Sequence, residues 1–416
     1  MPSVRLVATM SSRDPEEPHR AATPLALFFD LTFVVAVAEA SSTIHHQLVS
    51  GHASDAFVAY PMVFFAIWGA WMHFTWFASA YDPDDAAYRV AVLVQMAGVL
   101  VFAAGVPRFL EELDPGVAVL GYVVMRVGLV GQWLRAAVQH PEGRACSLRY
   151  AAGITACQVG WILLLVAPDG LWIPGFVVLG ALELAVPAWA EHRNRTTWNP
   201  RHIGERYGLF TIIVLGESVL SATVAMHRAL DAGGALSELV TTALGGFLVV
   251  SAMWWVYFDQ PVDRVLDRAR HAFTERGGWQ SFIWGYGHYV VFASAAAVGV
   301  GLAVAVDQTT GRSLLTDAQA ALVLTAPVAL YLVAVWLLHR AYKERGPLRN
   351  WACLVTATLV LASTWSGEPV LLTGLAMVGL VLVALIVHHR RRVPPPTRDD
   401  TAEVEAPPPP SLAPLG

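Results

Sequence analysis

The chain has 416 residues, of which 56% are hydrophobic and 14% charged, with a formal net charge of -5. A soluble domain carries about a quarter charged residues, so this composition excludes water as the only solvent and points to a polytopic membrane protein. The acidic balance, with no separate basic domain, gives no electrostatic case for nucleic acid as a partner.

Residues 1–24 read as a cytoplasmic amino-terminal segment, mostly disordered. Apolar runs of bilayer-crossing length follow near 26–48, 56–79, 87–107, 116–138, 149–166 and 171–190, a first set of six within residues 25–190. The first run is too long for a removable signal peptide and lacks its small-residue cleavage pattern, so it is expected to remain as a helix. A cytoplasmic linker, 191–205, leads to a second set within 206–389, with runs near 206–228, 236–258, 279–306, 317–339, 349–366 and 369–389. The tail, 390–416, holds Pro394 to Pro396 and Pro407 to Pro410 and is expected to be a disordered cytoplasmic extension. The fold class expected is all-α, an integral membrane protein of about twelve transmembrane helices.

Basic residues set the orientation, because loops that stay inside are enriched in Lys and Arg. With the amino terminus inside, the outer loops keep only Arg108, Arg228 and Arg312, while Arg193, Arg195, Arg201 and Arg206 share one inner loop and Arg264, Arg268, Arg270 and Arg276 another. Both termini are therefore expected in the cytoplasm. Trp76, Trp172, Trp254, Trp255 and Trp351 lie near predicted helix ends, where an amphipathic ring suits the headgroup level. Cys146, Cys157 and Cys353 have no paired spacing and imply no disulfide framework.

Sliding the chain by 178 positions lays Leu27 to Glu39 over Glu205 to Glu217, matching Leu31 with Leu209 and Glu39 with Glu217. Trp76 then falls on Trp254, and the hairpins Pro168-Asp169-Gly170 and Gly367-Glu368-Pro369 take corresponding places. This suggests two six-helix repeats in parallel orientation, a plan found among secondary transporters.

Glu39, Arg126, Glu183 and Glu217 fall inside predicted helices, where each costs roughly 2.5 to 3.5 kcal/mol at the bilayer centre. They are expected to face the interior, with Arg126 the counter-ion of one acid. A stripe of Thr32, Glu39, Ser42, Thr43 and His46 shares one face of the first helix, while Asp30, nine residues from Glu39, points to the opposite side. Arg206, Glu217 and Ser221 share a face of the seventh. Such stripes suit a proton or ion path, and a static hydrogen-bonded seam uses the same residues. His45, His46, His73 and His288 read first as packed or interfacial rings. With no HExxH, paired CxxC, phosphate loop or nucleophile elbow, no metal, cofactor or standard hydrolase site is expected.

Pro24-Leu25-Ala26-Leu27-Phe28-Phe29-Asp30-Leu31-Thr32-Phe33-Val34 and the segment from Glu205-Arg206-Tyr207-Gly208 to Leu215-Gly216-Glu217-Ser218 resemble the two hallmark segments of the bacterial low temperature requirement protein A family, LtrA. Trp254-Trp255-x-Tyr257-Phe258-Asp259 and Tyr81-Asp82-Pro83-Asp84-Asp85 extend the likeness over most of the membrane region. The family pattern has an acid before its Leu-Phe-Phe-Asp where this chain has Ala26. The resemblance implies an integral membrane protein linked by name to growth in the cold, with no established substrate or reaction. It carries over Asp30, Glu205, Arg206 and Glu217 as sites without assigned chemistry. The leading expectation is a transporter-like or channel-like protein of the bacterial inner membrane, with a polar centre between the two halves, Glu217 and Glu39 as coupling or proton-handling groups, the lipid bilayer around it and a proton, ion or small solute as its partner. The alternatives are a non-transporting scaffold for stress or cold growth and a membrane-embedded enzyme.

Overall fold

A computed structural model describes residues 6–14, 17, 22–259, 279–340 and 347–392. The expected basic loop of Arg264 to Arg276, and the tail beyond residue 392, lie outside the described residues. Among the described residues twelve α-helices run in chain order: α1 Pro24–Val49, α2 Ala53–Ala80, α3 Ala86–Glu112, α4 Gly116–Gln139, α5 Arg144–Leu164, α6 Trp172–Ala190, α7 Pro200–Asp231, α8 Leu236–Phe258, α9 Trp279–Thr309, α10 Asp317–Arg340, α11 Pro347–Ser363 and α12 Pro369–Arg392. No strand occurs among the described residues.

Ten of these helices are long and apolar enough to cross a membrane, so the expected count of twelve stands at ten by length and composition. The two others are α5, diluted by Arg144, Arg149 and Gln158, and the short α11. Helix α5 nevertheless lies antiparallel to both neighbours: Tyr150 near its start stacks on Trp133 of α4 with centroids 4.1 Å apart and donates to Glu191 at the end of α6, and Trp161 at its other end meets Tyr122 of α4 and Phe176 of α6.

Helix pairs in lipid gain little from hiding apolar surface, so close backbone approach matters more. A Cβ on Gly121 would lie 2.2 Å from the Phe102 nitrogen, and one on Gly98 2.6 Å from the Met125 nitrogen, which shows how tightly α3 and α4 are pressed together. Gly301 plays the same part between α9 and α10, where a Cβ would stand 2.6 Å from the Leu324 Cα. The neighbour order α1–α3, α3–α4, α4–α5, α5–α6 recurs as α7–α9, α9–α10, α10–α11, α11–α12. Helices α1 and α2 of the first set then pack on α7 and α9 of the second.

The face at which α1 begins is here called proximal. Residues 6–14 were expected to be unstructured, yet they strap across this face. Asp85 caps α3 by accepting from the Tyr88 amide at 2.8 Å, and its other oxygen accepts from the Ala8 amide at 2.6 Å. Arg135 of α4 donates to Asp85 at 2.9 Å and to the Ala8 carbonyl at 2.7 Å, and the Met10 amide reaches Gln139 at 2.8 Å. The short polar strap is held because one capping acid and one arginine serve it and the helix ends at once.

Burial works to raise the Asp85 pKa, but the hydrogen bonds from Arg135 and the two amides, with the Arg135 charge, outweigh it and hold the group at about 2. A depressed carboxylate stabilises the fold above its ordinary pKa, and that contribution is lost as pH falls from about 4 toward 2. Asp85→Asn at neutral pH should accordingly release the strap, read as faster hydrogen exchange at the Ala8 and Met10 amides. Gly121→Leu should separate α3 from α4 and cost on the order of 1 to 3 kcal/mol or more, measured by thermal unfolding in detergent.

Candidate functional site

Helices α1 and α7 begin alike. Thr23 and Asn199 cap them by accepting from first-turn amides, and Pro24 and Pro200 occupy the first helical position, where no amide is needed. Asp30 and Arg206 each stand six residues beyond that proline, and so at one depth. Arg206 Nε donates to Asp30 Oδ2 at 2.9 Å and Nη2 to Oδ1 at 2.5 Å, while Trp71 Nε1 of α2 donates to Oδ1 at 2.6 Å. Both charged side chains are 0% exposed. Nη1 of Arg206 has no hydrogen-bond partner among the described residues.

Eleven residues further along each helix, about 16 Å at 1.5 Å per residue, a second contact joins the same two helices. Ser41 Oγ donates to Glu217 Oε2 at 3.4 Å, and Ser221 Oγ, one turn beyond Glu217, donates to Oε1 at 2.5 Å. The Asp30–Arg206 and Ser41–Glu217 pairs both span 176 positions, so α1 and α7 run side by side in the same direction. Glu217 is 3% exposed, and no basic side chain pairs with it among the described residues. Tyr60 of α2 lies within electrostatic reach of Glu217, and its hydroxyl donates to the Ala293 carbonyl of α9 at 2.7 Å.

A separate cluster fills the first six helices. Glu183 of α6 lies 3.2 Å from Arg126 Nη2 of α4, accepts from the Tyr122 hydroxyl at 2.5 Å, and accepts from Gln158 and Trp161 of α5 at 3.2 and 3.1 Å. Arg126 also donates to Tyr122 and, through Nη1, to His73 Nδ1 at 2.8 Å, which places the His73 proton on Nε2. Four helices thus converge on one ion pair. His288 is likewise a packed ring: Tyr257 meets its Nε2 at 3.0 Å and Trp284 O its Nδ1 at 2.7 Å.

Arg126 has Glu183 as its acid. Arg206 pairs with Asp30 although it shares a helix face with Glu217, because Asp30 is the acid at its depth. Glu39 departs from the expectation of an interior acid: it is half-buried, Ser42 and His46 beyond it are exposed, and its carboxylate has no hydrogen bond or ion pair among the described residues. The expected stripe is divided: Thr32 and Thr43 are buried, as are Asp30 and Ser41 across the helix, whereas Ser42 and His46 are exposed, so Glu39 stands at the edge of the buried side. Glu205 is exposed and accepts from the Ala22 amide at 3.3 Å. Ser41, Trp71 and Tyr122 were not foreseen as site residues; for Ser41 the equal spacing from Pro24 and Pro200 is the signal that points to it. No group of three or more His, Cys, Asp or Glu suited to a metal exists among the described residues.

The family model described as bacterial low temperature requirement A protein (LtrA) matches residues 21–387. An uncharacterized protein of Rhizobium meliloti is 26% identical over 287 residues, covering 66% of this chain and 67% of its own length. No solved structure matches the chain.

Asp30→Asn leaves Arg206 buried without its counter-charge, which costs about 3 to 5 kcal/mol. The thermal midpoint in detergent should fall accordingly, and Arg206→Gln should lower it similarly. The double variant, with no charge left in the site, should lose less than the two single losses together.

Proposed function

Because the chain belongs to the bacterial low temperature requirement A (LtrA) family, we propose that it is a transporter-like or channel-like membrane protein in which Glu217 takes up and releases a proton or small cation. The observation that carries this reading is the contrast among the buried acids. Asp30 and Glu183 are each matched by an arginine, whereas among the described residues Glu217 is held by two serine hydroxyls alone. An intramembrane acid without a fixed counter-ion is free to exchange one. The neighbouring Asp30–Arg206 pair then serves as the fixed point against which α1 and α7 are registered.

In this reading the chain is two six-helix repeats crossing the bacterial inner membrane, with the proximal face and both termini in the cytoplasm. The recurring neighbour order and the parallel α1 and α7 support the repeat, and Arg13, Arg89, Arg135, Arg144, Arg149 and Arg201, near helix ends at the proximal face, support the orientation. A static scaffold is the second reading, favoured by the occlusion of Glu217 on all sides.

Purified protein in liposomes should conduct protons or ions down an imposed gradient, and Glu217→Gln, inserted to the same extent, should lose at least 10-fold of that flux. Equal flux from wild type, variant and empty liposomes, with a lower thermal midpoint for the variant, would leave the scaffold.

A further inference from the structure

Glu39 stands nine residues beyond Asp30, and at 100° per residue that is the far side of α1. Asp30 is buried against α7. Glu39, half-buried, borders an outward stripe on which Leu31 and Val35 are 55% and 47% exposed and Ser42 and His46 are also exposed. It lies near the middle of a 26-residue helix, so its carboxylate is at membrane depth. Acids at that depth almost always face protein or water. Here the two helices that border the stripe, α3 and α7, both pack on α1 but are not packed neighbours of each other among the described residues. Their counterparts in the neighbour order, α9 and α1, do pack together. The stripe is therefore the floor of an opening, and at its α7 edge nothing lies within 4 Å of where a Cβ on Gly216 would stand, which leaves room for a helix to approach closely.

We propose that a second copy of this chain covers this opening, packing α1 against α1 about a two-fold axis along the membrane normal. Two copies inserted by the same charge bias stand the same way up, so such an axis brings residues of equal depth together. The stripe is self-complementary in that arrangement. Within two helical turns it offers an acceptor, Glu39, and two side chains able to donate, Ser42 and His46, so each copy supplies what the other lacks. The Glu39 carboxyl of one copy accepts from the Ser42 hydroxyl of the other, one turn away in depth, and Leu31 and Val35 pack below them. The inference does not rest on the transport reading, since copy number is read whether or not anything flows.

The test uses the full chain in lipid bilayers. The native Cys146, Cys157 and Cys353 are buried, so an introduced surface cysteine reports alone. Ser42→Cys should give a covalent dimer on mild oxidation, whereas Val127→Cys on α4, at a position 62% exposed, should not. Single-molecule bleaching of labelled wild-type protein should show two steps at high protein-to-lipid ratio and one at low ratio. Glu39→Gln, which still accepts a hydrogen bond, should keep that midpoint, and Glu39→Leu should shift it at least 10-fold toward the monomer. Single steps at every ratio would overturn the proposal, as would cross-linking through Val127→Cys but not Ser42→Cys, or an unchanged midpoint in Glu39→Leu. Glu39 captured by a helix of a different protein, with this chain remaining single, would overturn it as well.

Discussion

A carboxylate and a guanidinium that have both left water are tolerable only beside each other, and that requirement ties α1 to α7. Asp30 and Arg206 make two hydrogen bonds to each other, and Trp71 supplies a third from α2, so three helices from both halves of the chain are registered by one group of atoms. Everything further along these helices inherits the register. Ser41 meets Glu217 because the two helices are parallel and start level. The aromatic packing follows suit: Trp71 stacks on Phe210 at 4.3 Å between centroids, and Phe210 lies edge-on to Phe292 of α9 at 5.0 Å.

The bundle has two kinds of interior. Where α3 meets α4 and α9 meets α10, glycine lets backbones touch and dispersion holds them. Where the halves meet, and around Glu183, each buried arginine is paired with a buried acid, although Arg206 Nη1 and Arg126 Nε have no hydrogen-bond partner among the described residues. Glu217 follows neither pattern, being buried beside the Ser41 and Ser221 hydroxyls with no ion-pair partner among the described residues. The charged groups at the proximal face do different work again. Glu191, at the end of α6, accepts from Tyr150 and Thr196, and burial raises its pKa more than those bonds and Arg195 lower it.

How much of this was legible beforehand depended on the kind of signal. Helix positions were readable because twenty apolar residues in a row are hard to mistake, and the hallmark segments pointed to Asp30, Arg206 and Glu217. Their partners were harder to read. Arg126 had three acids within reach of reasoning, and only the packing of α4 on α5 and α6 selects Glu183. The nine-residue spacing put Asp30 and Glu39 on opposite faces of α1, yet it could not tell which face was inside, because in a bilayer the core side and the lipid side are both apolar and amphipathicity is lost. The sequence alignment at 178 positions matched Glu39 with Glu217, whereas the helices contact each other at 176. Two positions are enough to rotate a helix more than half a turn.

The same 176-residue separation bears on how the protein is made. A ribosome adding about 5 to 20 residues per second needs roughly 10 to 35 s to proceed from Asp30 to Arg206. Through that interval α1 holds an acid whose partner Arg206 has not yet been synthesised, while five helices are made in between. Closing the pair is then a late event in assembly. A chain that stalls before α7 keeps a stranded charge near the membrane surface, and with it a mark by which an unfinished protein differs from a finished one.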